Sequence, residues 1–133
     1  MAFTGPAEDR LAIRELIDRY NDAIARFDAE AWGETWTEDA EWELMGLAVN
    51  GRESIVGLWQ KTMQQFDFVV FRAVPGAIEI SGDEATGRVW AHEVIQPKGA
   101  ELRTMHGRYD DTYAKSGGEW RFRSRRYQVL REY

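Results

Sequence analysis

YNDAIARFDAEAWGETWTEDAEWELMG, residues Tyr20 to Gly46, changes its period twice along its length. An amphipathic helix runs down to Phe27 and stops at Asp28, a residue type whose side-chain oxygen accepts the orphan N–H groups opening a following helix. Ala29 to Trp36 then read as a short second helix. Thr37-Glu38-Asp39 turns the chain into a strand, Ala40 to Met45, with Trp42 and Leu44 on one side and Glu41, Glu43 and Met45 on the other. Two readings of Asp28 stand at this point. It is a helix cap and nothing more, or it is an acid aimed from a helix junction into a pocket walled by the aromatic-bearing strand.

Upstream, Gly5-Pro6 before Ala7-Glu8-Asp9 reads as a helix start, with acids near the N-terminal dipole. Ile13, Leu16, Ile17, Tyr20, Ile24 and Phe27 fall at steps of three and four and define one buried face. Downstream, Gly46 to Ala48 read as a loop and Asn50-Gly51 as a turn. A third helix follows over Glu53 to Gln65, with Ile55, Val56, Leu58, Trp59 and Met63 as its apolar positions. From Phe66 the chain changes character. β-Branched and aromatic runs predict strands at Phe68–Val74, Ala77–Ser81, Glu84–Gln96, Leu102–Ala114 and Trp120–Leu130. The breaks between them, Pro75-Gly76, Gly82-Asp83, Pro97-Lys98-Gly99 and Ser116-Gly117-Gly118, are short, so neighbouring strands are antiparallel. Helices first and a meandering sheet afterwards predict an α+β domain over residues 1–133, three N-terminal helices packed on a strongly curved, mainly antiparallel sheet that closes over them as a cone-shaped barrel.

The chain's 133 residues suffice for one core. It has no cysteine, which excludes a disulfide framework, a thiolate metal site and a cysteine nucleophile. Its formal charge of −6 opposes nucleic acid and anionic membrane surfaces. The one basic cluster, RFRSRR at Arg121 to Arg126, splits between two strand faces and reads as a salt-bridged surface. With no signal-like start and no long apolar run, the expectation is a soluble, cytoplasmic protein that does not engage membranes. Six tryptophans exceed the ordinary needs of so small a core, which points to a pocket or a subunit interface.

The runs AIRELIDRYNDAIARFD, WTEDAEWELMG, NGRESI, GDEATGRVW and GRYDDTYAKSGGEWRF together resemble the SnoaL-like branch of the nuclear-transport-factor-2-like superfamily, along nearly the whole chain. The resemblance implies a cone with a deep pocket, no cofactor, and a homodimer or homotrimer. Among its members the dehydratases and dehydrohalogenases are the most similar in the runs around Asp28 and Trp42; these lyases take a proton from carbon and expel a leaving group. Asp28 falls on their active-site aspartate, which in several members orients a histidine base. The position matching that histidine is Phe71 here. The usual Asp-His dyad is therefore absent, and either Asp28 acts as the base itself, as in the ketosteroid isomerases of the superfamily, or another residue takes the histidine's role.

The same resemblance puts an acid at Glu93 and an anion-stabilising arginine at Arg125. If Val89, Ala91, Glu93 and Ile95 face inward, Glu93 shares the pocket with Asp28, and two acids in an apolar cavity push each other's pKa apart into a base and an acid. The opposite parity would put Trp90 and His92 inside and Glu93 in solvent. Arg125 either lines the pocket or pairs with Asp28. Trp42 matches a pocket tryptophan, and Tyr20, Phe71 and Tyr109 add aromatic surface; each alone reads more simply as ordinary core packing, and together they suit a flat apolar ring. His92 and His106 read as lying outside the pocket, and no metal site is expected. Phosphate loops, nucleophile elbows and dinucleotide fingerprints are absent. The expected function is a cofactor-independent lyase or isomerase for a small hydrophobic cyclic substrate, with Asp28 as general base, Glu93 as partner acid and Arg125 as anion stabiliser. Two alternatives remain. One is a non-catalytic hydrophobic-ligand-binding or interaction domain, favoured by Phe71. The other is hydration such as epoxide opening, in which acids and an arginine position water.

Overall fold

The computed structural model describes residues 1–133. Its elements run β1 (Phe3–Thr4), α1 (Ala7–Ala25), α2 (Ala29–Glu34), β2 (Trp36–Leu44), β3 (Leu47–Asn50), α3 (Arg52–Met63), β4 (Phe66–Ser81), β5 (Glu84–Pro97), β6 (Arg103–Ser116) and β7 (Glu119–Glu132). The seven strands form one sheet in the order β1-β4-β5-β6-β7-β2-β3. The long hairpins β4–β5, β5–β6 and β6–β7 are antiparallel, whereas β1 joins β4 and β2 joins β7 in parallel. Three helices cover the concave face of this strongly curved sheet, the α+β cone that the order of elements implies.

Helix α1 starts after Pro6, carries Glu8 and Asp9 in its first turn, and buries Ile13, Leu16, Ile17, Tyr20, Ala23 and Ile24 along one stripe. Phe27 departs from that stripe. The helix ends at Ala25, Phe27 takes a φ of 54°, and its ring is 47 % exposed. Helix α2 stops at Glu34, so Trp36 opens β2 instead of closing the helix, and the strand is longer than the alternation from Ala40 alone suggests. A register shift against β7 between Trp36 and Glu41 divides its two halves.

Three further boundaries differ from expectation. Met45 and Gly46 are not strand and loop but the two-residue turn of a β2–β3 hairpin, with φ of 49° and 86° as a primed turn requires. Leu47–Asn50 is a strand. Pro75-Gly76 is not a hairpin; it lies within the single strand β4, at a register shift between Pro75 and Ala77 against β5. A bulge tolerates a proline that cannot donate to the ladder. Gly76 lets the Trp90 ring lie close over the strand there, since a Cβ would meet Trp90 Nε1 at 2.6 Å.

Candidate active site

Strand parity decides what faces the helices. Along β5, Val89, Ala91 and Ile95 are buried while Trp90 and His92 are exposed, so Glu93 lies on the concave side. On β6 the same alternation brings Gly107, Tyr109, Asp111 and Tyr113 inward. On β7 Phe122, Arg125 and Tyr127 are buried, the step of three between the first two absorbing the irregularity near Thr112 and Tyr113. From the helices come Tyr20 on α1, Trp32 on α2 and Trp59 on α3; β2 adds Trp36 and Trp42.

These side chains make an aromatic box. Tyr20 contacts Trp32 at 5.5 Å, Phe71 at 5.8 Å and Phe122 at 5.3 Å between ring centroids. Phe71 reaches Tyr109 at 6.3 Å, and Tyr109 reaches Tyr127 at 4.7 Å. Trp42 joins through Trp32, 5.3 Å away. Of the seven residues read as site candidates, Tyr20, Phe71, Tyr109, Glu93 and Arg125 thus share one interior, and Trp42 borders it.

Glu93 accepts a hydrogen bond from the Tyr127 hydroxyl at 2.7 Å. Burial pushes its carboxyl above the ordinary carboxylate value, and the Tyr127 bond offsets only part of that rise. The Tyr127 phenol is itself raised by burial and by the neighbouring acid.

Arg125 is fully buried and binds Asp111 through two hydrogen bonds, 2.8 Å from Nε and 3.1 Å from Nη2. Its guanidinium carbon lies 3.8 Å from the Tyr109 ring centroid, 4.1 Å from that of Phe122 and 4.5 Å from that of Tyr20. Asp111 also accepts from the Tyr113 hydroxyl at 2.8 Å. Burial pushes the Asp111 carboxyl up against the opposing pull of Arg125.

Asp28 does not enter this interior. Its Oδ1 accepts from the Ala31 backbone N–H at 3.0 Å, the cap of α2, and its Oδ2 pairs with Arg26 at 2.7 Å, the side chain being 36 % exposed. The Ala31 N–H and then the Arg26 guanidinium hold its carboxyl below the usual carboxylate range. A shared hollow for Asp28 and Glu93 is therefore not formed, and Arg125 pairs with Asp111 rather than with Asp28. The physical reason is local: an aspartate at the first position before a helix is captured by the N–H groups in front of it. His92 and His106 lie side by side across β5 and β6 on the convex face, ring centroids 4.7 Å apart and tilted by 38°.

Asp111, Tyr113 and Tyr127 are site residues that sequence reasoning misses. Their signal is the same alternation that turns Gly107 and Tyr109 inward, carried two and four residues further on β6, and one step beyond Arg125 on β7. Trp32 and Trp36 escape as box residues because the helix-to-strand change falls between them.

A cleft of about 230 Å³ opens where the α1–α2 junction meets α3, lined by Phe27, Ala29, Trp59, Gln60, Met63 and Gln64. Trp59 stacks on Trp32 at 4.8 Å and 14°, so this cleft abuts the box. A larger depression of about 460 Å³ lies along the sheet, lined by polar residues such as Glu79, Ser81, Glu84 and Arg123, and shares only Tyr113 with the box. The chemistry-bearing groups are in the box, so the depression's size does not make it the site.

The family model described as a SnoaL-like domain matches residues 6–126. Among solved structures, a provisionally named scytalone dehydratase of Novosphingobium aromaticivorans superposes with a TM-score of 0.88 at 19 % identity, covering 95 % of this chain and 87 % of that one. A type 2 hexachlorocyclohexane dehydrochlorinase, LinA, gives 0.87 at 18 %, covering 95 % and 88 %. A variant of a Mycobacterium tuberculosis protein of unknown function gives 0.82 at 26 %, covering 95 % and 79 %. No match to the sequence is found among curated proteins. With the family model spanning nearly the whole chain and the cone fold common to these structures, the chain belongs to the SnoaL-like domain family.

Proposed function

We propose that this chain is a cofactor-independent lyase or isomerase that draws a proton from carbon in a small hydrophobic cyclic molecule, with Glu93 as the carboxylate base. The observation that carries this reading is the Glu93–Tyr127 pair: a carboxyl raised by burial, hydrogen-bonded to a phenol, inside an aromatic box. A base in a water-poor interior, with its pKa moved toward neutrality, is what abstraction of a carbon-bound proton needs. The dehydratase and dehydrochlorinase names among structural neighbours support the same general kind of enzyme.

In an elimination, the Glu93 carboxylate takes the proton from a ring carbon. The C–H electron pair becomes the second bond of a C=C, and the adjacent leaving group departs with its own bonding pair. Arg125, neutralised by Asp111 but with Nη1 unpartnered, offers a hydrogen bond to the oxygen or leaving group where charge develops. Asp28 becomes a positioning residue, capping the helix that carries Trp32 into the box.

The test is proton exchange and elimination on a panel of cyclic ketones and halocyclohexanes in D₂O, followed by proton NMR. Glu93→Gln is expected to lower the rate at least about 100-fold, the scale of a lost general base, and Asp28→Asn to leave it within a few fold. Full turnover by Glu93→Gln on an identified substrate overturns the assignment. The presence of Phe71 where related lyases carry histidine favours a second reading, a non-catalytic binder of hydrophobic rings; saturable binding with no exchange across the panel would select it.

A further inference from the structure

The chain's two histidines meet on the convex face of the sheet, on the side away from the helices. His92 on β5 and His106 on β6 stand directly opposite in the antiparallel register, between the pairs Ala91–Gly107 and Glu93–Met105. Both rings are exposed, whereas Ala91 and Gly107 beside them are buried. Residues facing each other this way hold their Cβ atoms about 4.5–5.5 Å apart, on two strands that fix each other's position. Spacing along the chain gives no reason to expect a metal here; the pairing of β5 with β6 supplies one.

An imidazole nitrogen is the commonest protein ligand for a transition metal. In a tetrahedral shell with metal–nitrogen bonds of about 2.0–2.1 Å, two ligand nitrogens lie roughly 3.3 Å apart. With centroids 4.7 Å apart and planes tilted by 38°, a turn of either ring about its Cβ–Cγ bond brings one nitrogen of each into that span. The one protein group within hydrogen-bond distance of either ring is the Tyr133 hydroxyl, 3.2 Å from Nδ1 and 3.4 Å from Nε2 of His106. A phenol shared between two nitrogens of one ring commits to neither, and the His92 nitrogens stay open. Strand β7 bulges beside His106, passing from Arg131 to Val129 as β6 steps to Gly107, the kind of irregularity that re-aims a side chain. Two charges oppose a cation: Arg72 lies opposite His92 on β4, and Arg131 opposite His106 on β7. All four side chains are exposed, so water and salt screen that repulsion, while the bond from nitrogen to metal is direct.

We infer that His92 and His106 together bind one divalent transition metal ion, of the zinc, nickel or copper class, with water completing its shell. No third histidine or carboxylate joins them. The ion is therefore chosen by imidazole's preference for these metals over magnesium and calcium, which want oxygen, rather than by an enclosed cage. Glu93 follows His92 and Gly107 follows His106, each turned to the opposite face, and a Cβ on Gly107 would overlap the Tyr127 ring. A bound ion thus clamps β5 to β6 back to back with the Glu93–Tyr127 pair. This site stands whether or not that pair is catalytic.

The experiment titrates zinc chloride into the untagged, ¹⁵N-labelled full chain, with magnesium chloride and sodium phosphate as comparison titrants. Affinity comes from calorimetry and the site from the imidazole ring resonances, of which the chain has only two sets. Zinc is expected to move both rings together and saturate at one ion per chain, and magnesium to move neither. His92→Gln and His106→Gln, at exposed positions and checked for fold by their amide spectra, are each expected to bind zinc at least about tenfold more weakly, the lower end of what losing even an outer-shell partner costs. Arg131→Gln should bind it at least as tightly as the parent protein. The inference is overturned if only one ring responds, if either single variant keeps the parent affinity, or if the double variant still binds zinc as tightly, which would put the ion on carboxylates. It is overturned as well if phosphate alone moves both rings and Arg131→Gln weakens that response, which would make the row a site for anions.

Discussion

The Tyr127 hydroxyl lies 2.7 Å from Glu93 Oε2, joining β7 to β5 across the intervening strand β6. Because burial raises the Glu93 carboxyl above its ordinary value of 4.5, the folded chain holds this proton to higher pH than the unfolded chain does. Stability from this group is fully present below about pH 4.5 and declines as pH rises through the folded pKa. Glu93→Gln removes the dependence. Thermal melts from pH 4 to 8 are expected to show the variant gaining on the parent protein as pH rises; a difference constant with pH contradicts the burial of this acid.

Removing the phenol acts in the opposite sense to removing the acid. The Tyr127 hydroxyl stabilises the carboxylate form of Glu93, so Tyr127→Phe is expected to move the Glu93 carboxyl further up, read by its ¹³C resonance. Gly107 supplies an independent handle. A Cβ at that position would overlap the Tyr127 ring, so Gly107→Ala should displace the phenol, raise the Glu93 carboxyl as Tyr127→Phe does, and lower the melting temperature as well. An unmoved Glu93 in both variants would show that the two side chains are not coupled.

At Asp28 the informative comparison is between two replacements. Asparagine caps a helix about as well as aspartate, and alanine does not. Asp28→Asn is expected to melt close to the parent protein and Asp28→Ala clearly below it, with the fluorescence of Trp32 on α2 changing only in the alanine variant. The depressed carboxyl gives the parent a stabilisation present above about pH 3.8 and lost as pH falls through the folded value, a dependence Asp28→Asn lacks. Equal melting of both variants would remove the cap from the account.

The cone was legible because long alternating strands and one amphipathic helix each carry a strong period. Alternation alone left the parity of β5 open, Val89, Ala91 and Ile95 on one side against Trp90 and His92 on the other, and burial in the folded sheet is what puts Glu93 inward. What periodicity does not carry is competition for a hydrogen bond. The spacing offers the cap at Asp28 as one reading, but it does not say that Arg26 takes the other carboxylate oxygen, or that Arg125 finds Asp111, a neighbour only after β6 and β7 pair. Local turns failed for a related reason. Pro75-Gly76 and Met45-Gly46 are both turn-like dipeptides, and only strand pairing made one a bulge and the other a hairpin.

The Asp111–Arg125 pair offers the sharpest energetic prediction, because both side chains are fully buried. Two charges withdrawn from water are tolerated while each satisfies the other, and removing one leaves the other uncompensated. Asp111→Asn keeps the shape but strands the guanidinium, and is expected to cost roughly 3–5 kcal/mol in urea unfolding. The Arg125→Met/Asp111→Asn double variant removes both charges. It should be more stable than Asp111→Asn alone, because the methionine fills the space among Tyr20, Tyr109 and Phe122 without a charge to solvate. If the double variant is instead less stable than the single by the full cost of each change, the cation's contacts with the three rings outweigh the penalty of burying it, and Arg125 is held by the aromatics rather than by Asp111.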